Sequence, residues 1–206
     1  MRSEPPVAQP REFLVEVYGP LFAALGRLAL PSPVRLSDFI NEREGFLRLT
    51  DVEFITDGDL GVTAAPASGQ TPYLINKGGI ELICQPSEET INRRAQADSE
   101  YGRSVWQAFG KMAGHSPNTD LRVAKEPYQV QVHTHRFVVV AQLHLAHGAA
   151  PESMLSNLPN KFVPVTDATA HFINRNGEPA VIERPLMLVN RDHILLVAVD
   201  DREQAA

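Results

Sequence analysis

The chain has 206 residues, of which 43% are hydrophobic and 21% charged, a composition typical of a soluble protein with one large or two small domains. No apolar run approaches the roughly 18 residues that a membrane span needs, and residues 1–10 lack the apolar core of a signal peptide. The single cysteine, Cys84, excludes an intramolecular disulfide and favours a cytoplasmic location. The net charge of −6 disfavours a broad nucleic-acid surface, because phosphate binding needs clustered Lys and Arg.

Residues 1–10 are expected to form a disordered lead-in, and residues 11–85 a first β module. Apolar residues alternate with polar ones, or form short runs, in five predicted strands: 14–17, 28–30, 46–54, 73–75 and 80–84. Residues 36–41 are too few for a longer helix and are predicted to form one turn capped by Ser37. Residues 57–59 and 76–79 have the composition of tight turns.

Residues 86–126 are predicted to form a helical linker. Ser87 supplies a capping hydroxyl, and Glu88 follows it near the positive end of the helix dipole. A partial apolar stripe continues until Gly114 ends it. Trp106, the only tryptophan of the chain, is expected to anchor this helix against the modules.

Residues 127–201 repeat the first module, and residues 202–206 form a tail. Five blocks match in the same order: 15–17 with 130–132, 22–30 with 137–145, 36–41 with 155–160, 46–51 with 162–167, and 72–80 with 185–194. Several matched residues are polar, including a Leu-Ser-x-x-x-Asn pattern and a Thr-Asp pair, so strand alternation alone does not explain the likeness. The sequence therefore predicts an internal duplication and a mostly β fold of two tandem five-stranded modules.

Each module resembles the Sm-like fold, a short bent SH3-like barrel of five strands. Gly26-Arg-Leu28, residues 38–41 and residues 46–51 imitate the first Sm motif, and residues 74–82 imitate the second. In the second copy Asn190-Arg-Asp192 replaces the Arg-Gly of that motif. The resemblance implies two tandem barrels, RNA binding in two loops and assembly into rings. The candidate RNA-binding residues are Asp38, Phe39, Asn41, Asn76, Lys77, Asn157, Asn160, Asn190 and Arg191.

A different interpretation holds for two of these candidates. Asn76 and Asn190 are also expected if each side chain only hydrogen-bonds its own backbone in a turn. The Thr-Asp pairs that end at Asp51 and Asp167 are interpreted in the same way, as strand-end hydrogen bonding, because no partner for acid-base catalysis is specified.

No catalytic, metal or cofactor site is predicted. The second module contains His133, His135, His144 and His147, which could suggest zinc or copper, but no cysteine or carboxylate cluster completes a ligand set. Neither a Gly-x-Ser-x-Gly nucleophile nor a phosphate-binding glycine loop is present. We therefore expect the chain not to be an enzyme.

Two functional hypotheses follow. The first is a non-enzymatic oligomeric scaffold or protein-interaction module that forms a homo-oligomer through its strand edges, which need pairing or cover. A trimer of such a chain would supply six modules. The second is an Sm-like RNA-binding protein that uses the Asn-Lys and Asn-Arg loops. Convergence of Lys77, Arg191, Arg35 and Arg48 on one face would favour RNA, and no membrane partner is expected.

Overall fold

The computed structural model describes residues 11–31, 34–42, 45–55, 72–97, 125–149, 160–174 and 177–199. The predicted lead-in and tail, Asn157 and Trp106 lie outside the described residues, as does the linker between residues 98 and 124. Neither of the described α-helices is long and apolar enough to cross a bilayer.

The described residues of the first half form five strands, two α-helices and one 3-10 helix. In chain order they are β1 (Arg11–Tyr18), β2 (Ala23–Leu30), α1 (Leu36–Glu42), β3 (Phe46–Phe54), β4 (Tyr73–Asn76), the 3-10 helix Lys77–Gly79, β5 (Leu82–Cys84) and α2 (Glu88–Ala97). Helix α1 begins before Ser37, which is therefore not its cap. In α2 the capping prediction is confirmed, because the Thr90 N–H donates to Ser87 Oγ at 3.2 Å.

The second half repeats the five strands. They are β6 (Lys125–His133), β7 (Val138–Ala146), β8 (Phe162–Ile173), β9 (Pro179–Asn190) and β10 (Leu196–Val199), with the 3-10 helix Arg191–His193 between β9 and β10. The described part of the chain is therefore mostly β, as the sequence predicts.

All ten strands belong to one antiparallel sheet in the order β10-β6-β7-β8-β9-β5-β1-β2-β3-β4. The prediction of two separate barrels is therefore wrong. A barrel made of one half alone would use the second edge of β5 within that half. Here β5 instead pairs with β9, with Ile83 opposite Leu188, so the halves join into one open sheet. The strand order of each half is nevertheless the same, and β4 and β10 lie at the two outer edges.

Equivalent backbone hydrogen bonds recur in the two halves at matched positions. The Gly19 N–H donates to the Phe22 carbonyl at 2.9 Å, and the Thr134 N–H donates to the Phe137 carbonyl at 2.8 Å. The Lys77 N–H donates to the Gly45 carbonyl at 2.9 Å, and the Arg191 N–H donates to the Lys161 carbonyl at 2.7 Å. The Glu81 N–H donates to the Tyr18 carbonyl at 2.8 Å, and the Leu195 N–H donates to the His133 carbonyl at 2.8 Å. These bonds align the halves residue by residue, so Leu195 takes the place of Glu81 and Asn190 that of Asn76.

A bulge bends the third strand of each half. Asp51 and Asp167 have positive φ angles of 50° and 48°, a conformation that aspartate tolerates better than most residues. The pairing register shifts opposite each of them, in β2 and in β7. The two aspartates thus lie inside strands, not at the strand ends predicted for them, and the repeated Thr-Asp pair marks a repeated bulge.

The hydrophobic core continues from one half into the other. Phe162 and Leu188 of the second half pack in the cluster of the first half, together with Phe39 and Ile40 of α1. Leu82 and Cys84 of the first half pack in the cluster of the second. Cys84 is a core residue, and burial raises the pKa of its thiol well above its ordinary value. Each half depends on the other for part of its core.

Candidate functional site: the module joint and the free edges

The contact between the two halves, centred on the pairing of β5 with β9, is called here the module joint. Its paired residues are Leu82 with Val189, Ile83 with Leu188 and Cys84 with Met187. All six side chains are at most 1% exposed. The module joint is therefore as completely buried as a protein core, unlike the more polar interfaces that are usual between separate domains.

Asn41, one of the predicted RNA-binding residues, lies in this joint. Its Nδ2 donates to the Phe162 carbonyl at 2.9 Å, and the Phe162 N–H donates to its Oδ1 at 2.8 Å. One carboxamide thus satisfies both backbone groups of the first residue of β8, as a neighbouring strand would. The Phe162 ring is fully buried beneath α1.

Asn190 and Lys77 lie in the same contact. The Asn190 Nδ2 donates to the carbonyls of Lys77 at 3.0 Å and Ile80 at 2.7 Å, and its Oδ1 accepts from the Asp192 N–H at 3.1 Å. The Lys77 ammonium donates to the Ile40 carbonyl at 2.5 Å, and both Asn190 and Lys77 are buried. Asn76 accepts from the Gly78 N–H at 2.8 Å. The Oδ1 atoms of Asn76 and Asn190 thus make the local turn hydrogen bonds that the second interpretation predicts.

The remaining candidates within the described residues differ in exposure. Asp38 and Asn160 are exposed, and Phe39 is buried in the core. The Arg191 guanidinium lies 4.0 Å from Asp192 Oδ1. Of the four cations whose convergence would favour RNA, Lys77 and Arg48 share one small cleft of about 170 Å³.

Two carboxylates that the sequence did not single out also connect the halves. Glu81 is fully buried, and its Oε2 accepts from the Thr134 hydroxyl at 2.7 Å and from the Arg136 N–H at 3.3 Å. A glutamate beside a short strand ordinarily predicts a solvent-exposed side chain, so the residues around Glu81 do not indicate that it is buried. The informative signal is that Leu195, an apolar residue, occupies the matched position of the second half.

The second carboxylate is Glu16 of β1. Its Oε2 accepts from Arg184 Nη2 at 2.7 Å and Nε at 3.1 Å, and from the Tyr18 hydroxyl at 3.1 Å. Arg184 belongs to β9, so this buried ion pair crosses from one half to the other. Desolvation and the neighbouring Glu16 charge raise the pKa of the Tyr18 phenol, which remains a hydrogen-bond donor at neutral pH.

The two outer strands of the sheet formed by the described residues are called here the free edges, and apolar side chains on or beside them are exposed to solvent. Phe46 beside β4 is 57% exposed, Leu74 on β4 is 65% exposed and Leu196 on β10 is 56% exposed. Their counterparts at the module joint, in the same order, are Phe162, Leu188 and Leu82, and each of these is fully buried. The free edges thus present the surfaces that the halves bury against each other.

Among the described residues, no group of three or more His, Cys, Asp or Glu side chains is placed to hold a metal ion. The histidines have other contacts: His144 Nε2 lies 2.8 Å from Thr166 Oγ1, and His193 Nε2 lies 2.7 Å from the Gly78 carbonyl across the joint. A cleft of about 380 Å³ opens beside Glu16 and Arg184, whose charges already neutralise each other.

Comparison of the chain with protein-family models, with curated proteins and with solved structures finds no match.

Proposed function

We propose that this protein is a non-enzymatic scaffold, built from two tandem Sm-like modules, that assembles with further copies of itself through its free edges. One observation carries the proposal. The edges β4 and β10 are the counterparts of β9 and β5, and these two strands already pair with each other inside the chain. The partner that fits each free edge is therefore the opposite free edge of a second copy.

The internal pairing gives the register of the proposed contact. Transferring the register of β5 and β9 to β10 and β4 places Leu196 opposite Ile75, Val197 opposite Leu74 and Ala198 opposite Tyr73. Unpaired edge strands expose a row of backbone donors and acceptors, and strand addition satisfies them. The antiparallel sheet then continues from chain to chain.

Burial of apolar side chains favours the same contact. Phe46, Leu74 and Leu196 would lose the exposure that their counterparts Phe162, Leu188 and Leu82 have already lost. Full burial of one such side chain contributes roughly 1.5–3 kcal/mol. Three partly exposed side chains at one edge contact supply a driving force of several kcal/mol, from which the cost of association is subtracted.

The arrangement of the edges limits the kind of assembly. Each chain has one β4 edge and one β10 edge, so successive chains add head to tail. Head-to-tail contacts produce a closed ring or an open filament. Three chains would supply the six modules of an Sm-like ring, which is the size we expect.

A scaffold is favoured over RNA binding by what the candidate polar groups contact. Lys77 directs its ammonium to the Ile40 carbonyl, Asn190 is buried, and Asn41 holds Phe162. Phosphate binding relies on exposed cationic side chains. The polar groups of Lys77, Asn190 and Asn41 instead form hydrogen bonds within the protein, at the module joint.

The test is the solution mass measured by light scattering over a range of concentrations. The Asn190 N–H donates across the joint to the Glu81 carbonyl at 2.9 Å, so the alternate N–H groups of Asn76 and Leu74 face outward at the free β4 edge. Leu74→Pro removes one of these outward donors without removing a bond inside the chain. We expect the wild-type protein to be a discrete oligomer and Leu74→Pro to be a monomer at the same concentration.

The matched control is Leu74→Val, which keeps both the N–H and an apolar side chain and should assemble as the wild type does. A wild-type chain that stays monomeric at every concentration contradicts the proposal. Addition of a mixed pool of short RNAs tests the alternative, since a gain in mass that declines as salt rises would favour RNA binding.

A further inference from the structure

The module joint and the proposed contact between chains differ in polarity at one place. In the module joint, Glu81 accepts hydrogen bonds from the Thr134 hydroxyl and the Arg136 N–H. In the contact between chains, Leu195 takes the place of Glu81. The turn that it faces belongs to the first half of the next chain and carries Gly19 and Leu21 where the second half has Thr134 and Arg136.

Both leucines are exposed in the single chain. Leu21 is 72% exposed and Leu195 is 62% exposed. They lie on different elements of one chain, Leu21 in the turn between β1 and β2 and Leu195 immediately before β10. The register that pairs β10 with β4 would bring Leu195 of one chain to Leu21 of the next.

We propose that this leucine pair makes the contact between chains specific, so that the second half of one chain joins only the first half of another. The inference rests on the proposed self-assembly and adds the residues that select the partner. Inside each chain, Glu81, Thr134 and Arg136 form a polar cluster at the module joint. In the contact between chains, Leu195 and Leu21 form an apolar contact at the equivalent place.

Contacts between like halves are disfavoured by this difference. If the module joint opened and β5 met the β4 edge of another copy, Glu81 would lie against Gly19 and Leu21, where no side-chain hydroxyl is available. A carboxylate buried without its hydrogen-bond donors is strongly destabilising. If β10 met the β9 edge of a copy whose module joint had opened, Leu195 would replace the carboxylate that Thr134 and Arg136 bond. Both mismatches select against the wrong partner.

The geometry at Gly19 reinforces this selection. A Cβ atom added at Gly19 would lie 2.3 Å from the Phe22 ring and 2.5 Å from the Gly79 carbonyl oxygen. The first half therefore has no room for a threonine at this position. Its turn cannot offer a carboxylate the hydroxyl that Thr134 offers Glu81.

The module joint and the proposed contact between chains also differ in charge at a second position. The buried Glu16–Arg184 pair crosses the module joint, whereas the position equivalent to Glu16 in the second half is Gln131, a neutral and exposed residue. The ion pair thus belongs to the joint inside the chain and has no charged counterpart on β6 for the contact between chains.

The first test measures assembly of Leu195→Glu and Leu21→Glu by light scattering on dilution. Each variant would bury an unpaired carboxylate in the contact between chains, and we expect the dissociation constant to rise at least about tenfold. Ile173→Glu is the matched control, because Ile173 is also 62% exposed but lies at the end of β8, away from both edges. The control should assemble as the wild type does. The double variant Leu195→Glu with Leu21→Lys should recover part of the loss, which a misfolded chain would not.

The second test asks which residues meet. Leu21→Cys chains are mixed with Leu195→Cys chains and treated with a short bis-maleimide, while the native Cys84 is buried and protected. Linked dimers are expected from the mixture and not from either variant alone. A wild-type chain that stays monomeric overturns both the assembly and its specificity. A wild-type oligomer that is unaffected by either glutamate, or that cross-links within one variant alone, overturns the leucine contact and leaves the assembly standing.

Discussion

At the module joint, single asparagine side chains form hydrogen bonds with backbone groups that a paired strand would otherwise form. Asn41 bonds both backbone groups of Phe162, and Asn190 bonds two carbonyls of the first half. The sequence identified both as polar residues at loop positions. It could not show that their partners lie more than a hundred residues away, because nothing local to an asparagine specifies a distant backbone partner.

Asn41→Ala should weaken the joint measurably. The substitution leaves the N–H and carbonyl of Phe162 without their partners in a partly buried place, which costs about 1–3 kcal/mol for an unsatisfied group. We expect the free energy of unfolding, measured by urea denaturation of dilute protein, to fall by about that amount. Asn160→Ala, at the matched position of the repeat, serves as the control because Asn160 is exposed. Equal losses in the two variants would argue against the role given to Asn41.

At the scale of elements, the sequence predicted strand positions well and strand lengths less well. The third strand of the first half was predicted over residues 46–54, which are the bounds of β3. In contrast β9 runs from Pro179 to Asn190, whereas the repeat block that predicts it begins only at residue 185. Pro185 and the charged residues before it interrupt the apolar pattern. The strand continues through them because β8 pairs with it along its whole length.

The bulge at Asp167 provides a prediction on a single strand. The positive φ angle of this residue strains a β-branched side chain but suits glycine. Asp167→Val should lower the free energy of unfolding by roughly 1–2 kcal/mol, and Asp167→Gly should leave it nearly unchanged. Thermal or urea unfolding of the two variants measures the difference. Similar stability of Val and Gly at this position would mean that the bulge relaxes without cost.

For the whole molecule, the repeat predicted two equivalent halves but not how they meet. Alternating residues define the faces of a strand, and they do not define which other strand lies at its edge. The open ten-stranded sheet depends on the pairing of β5 with β9, whose residues are about a hundred positions apart. Glu16 and Glu81 acquire their roles only through that pairing, and for this reason neither was among the predicted site residues.

The Glu16–Arg184 pair tests whether the halves act as one unit. Arg184→Met leaves a buried carboxylate at the joint without its cation, which typically costs about 3–5 kcal/mol. The double variant Glu16→Gln with Arg184→Met removes both charges and should recover much of that loss. We expect both variants to unfold in one transition by calorimetry, because each core contains residues of the other half. Two separate transitions would show that the halves fold independently.

The unlike edges of the sheet also determine the symmetry that an assembly can have. In the proposed assembly β10 of one chain pairs with β4 of the next, so no twofold axis relates neighbouring chains, and a closed assembly is purely cyclic. Its two faces are then chemically different surfaces. A third molecule that recognises one face is bound on one side only, in as many copies as there are chains, and the assembly acquires a top and a bottom.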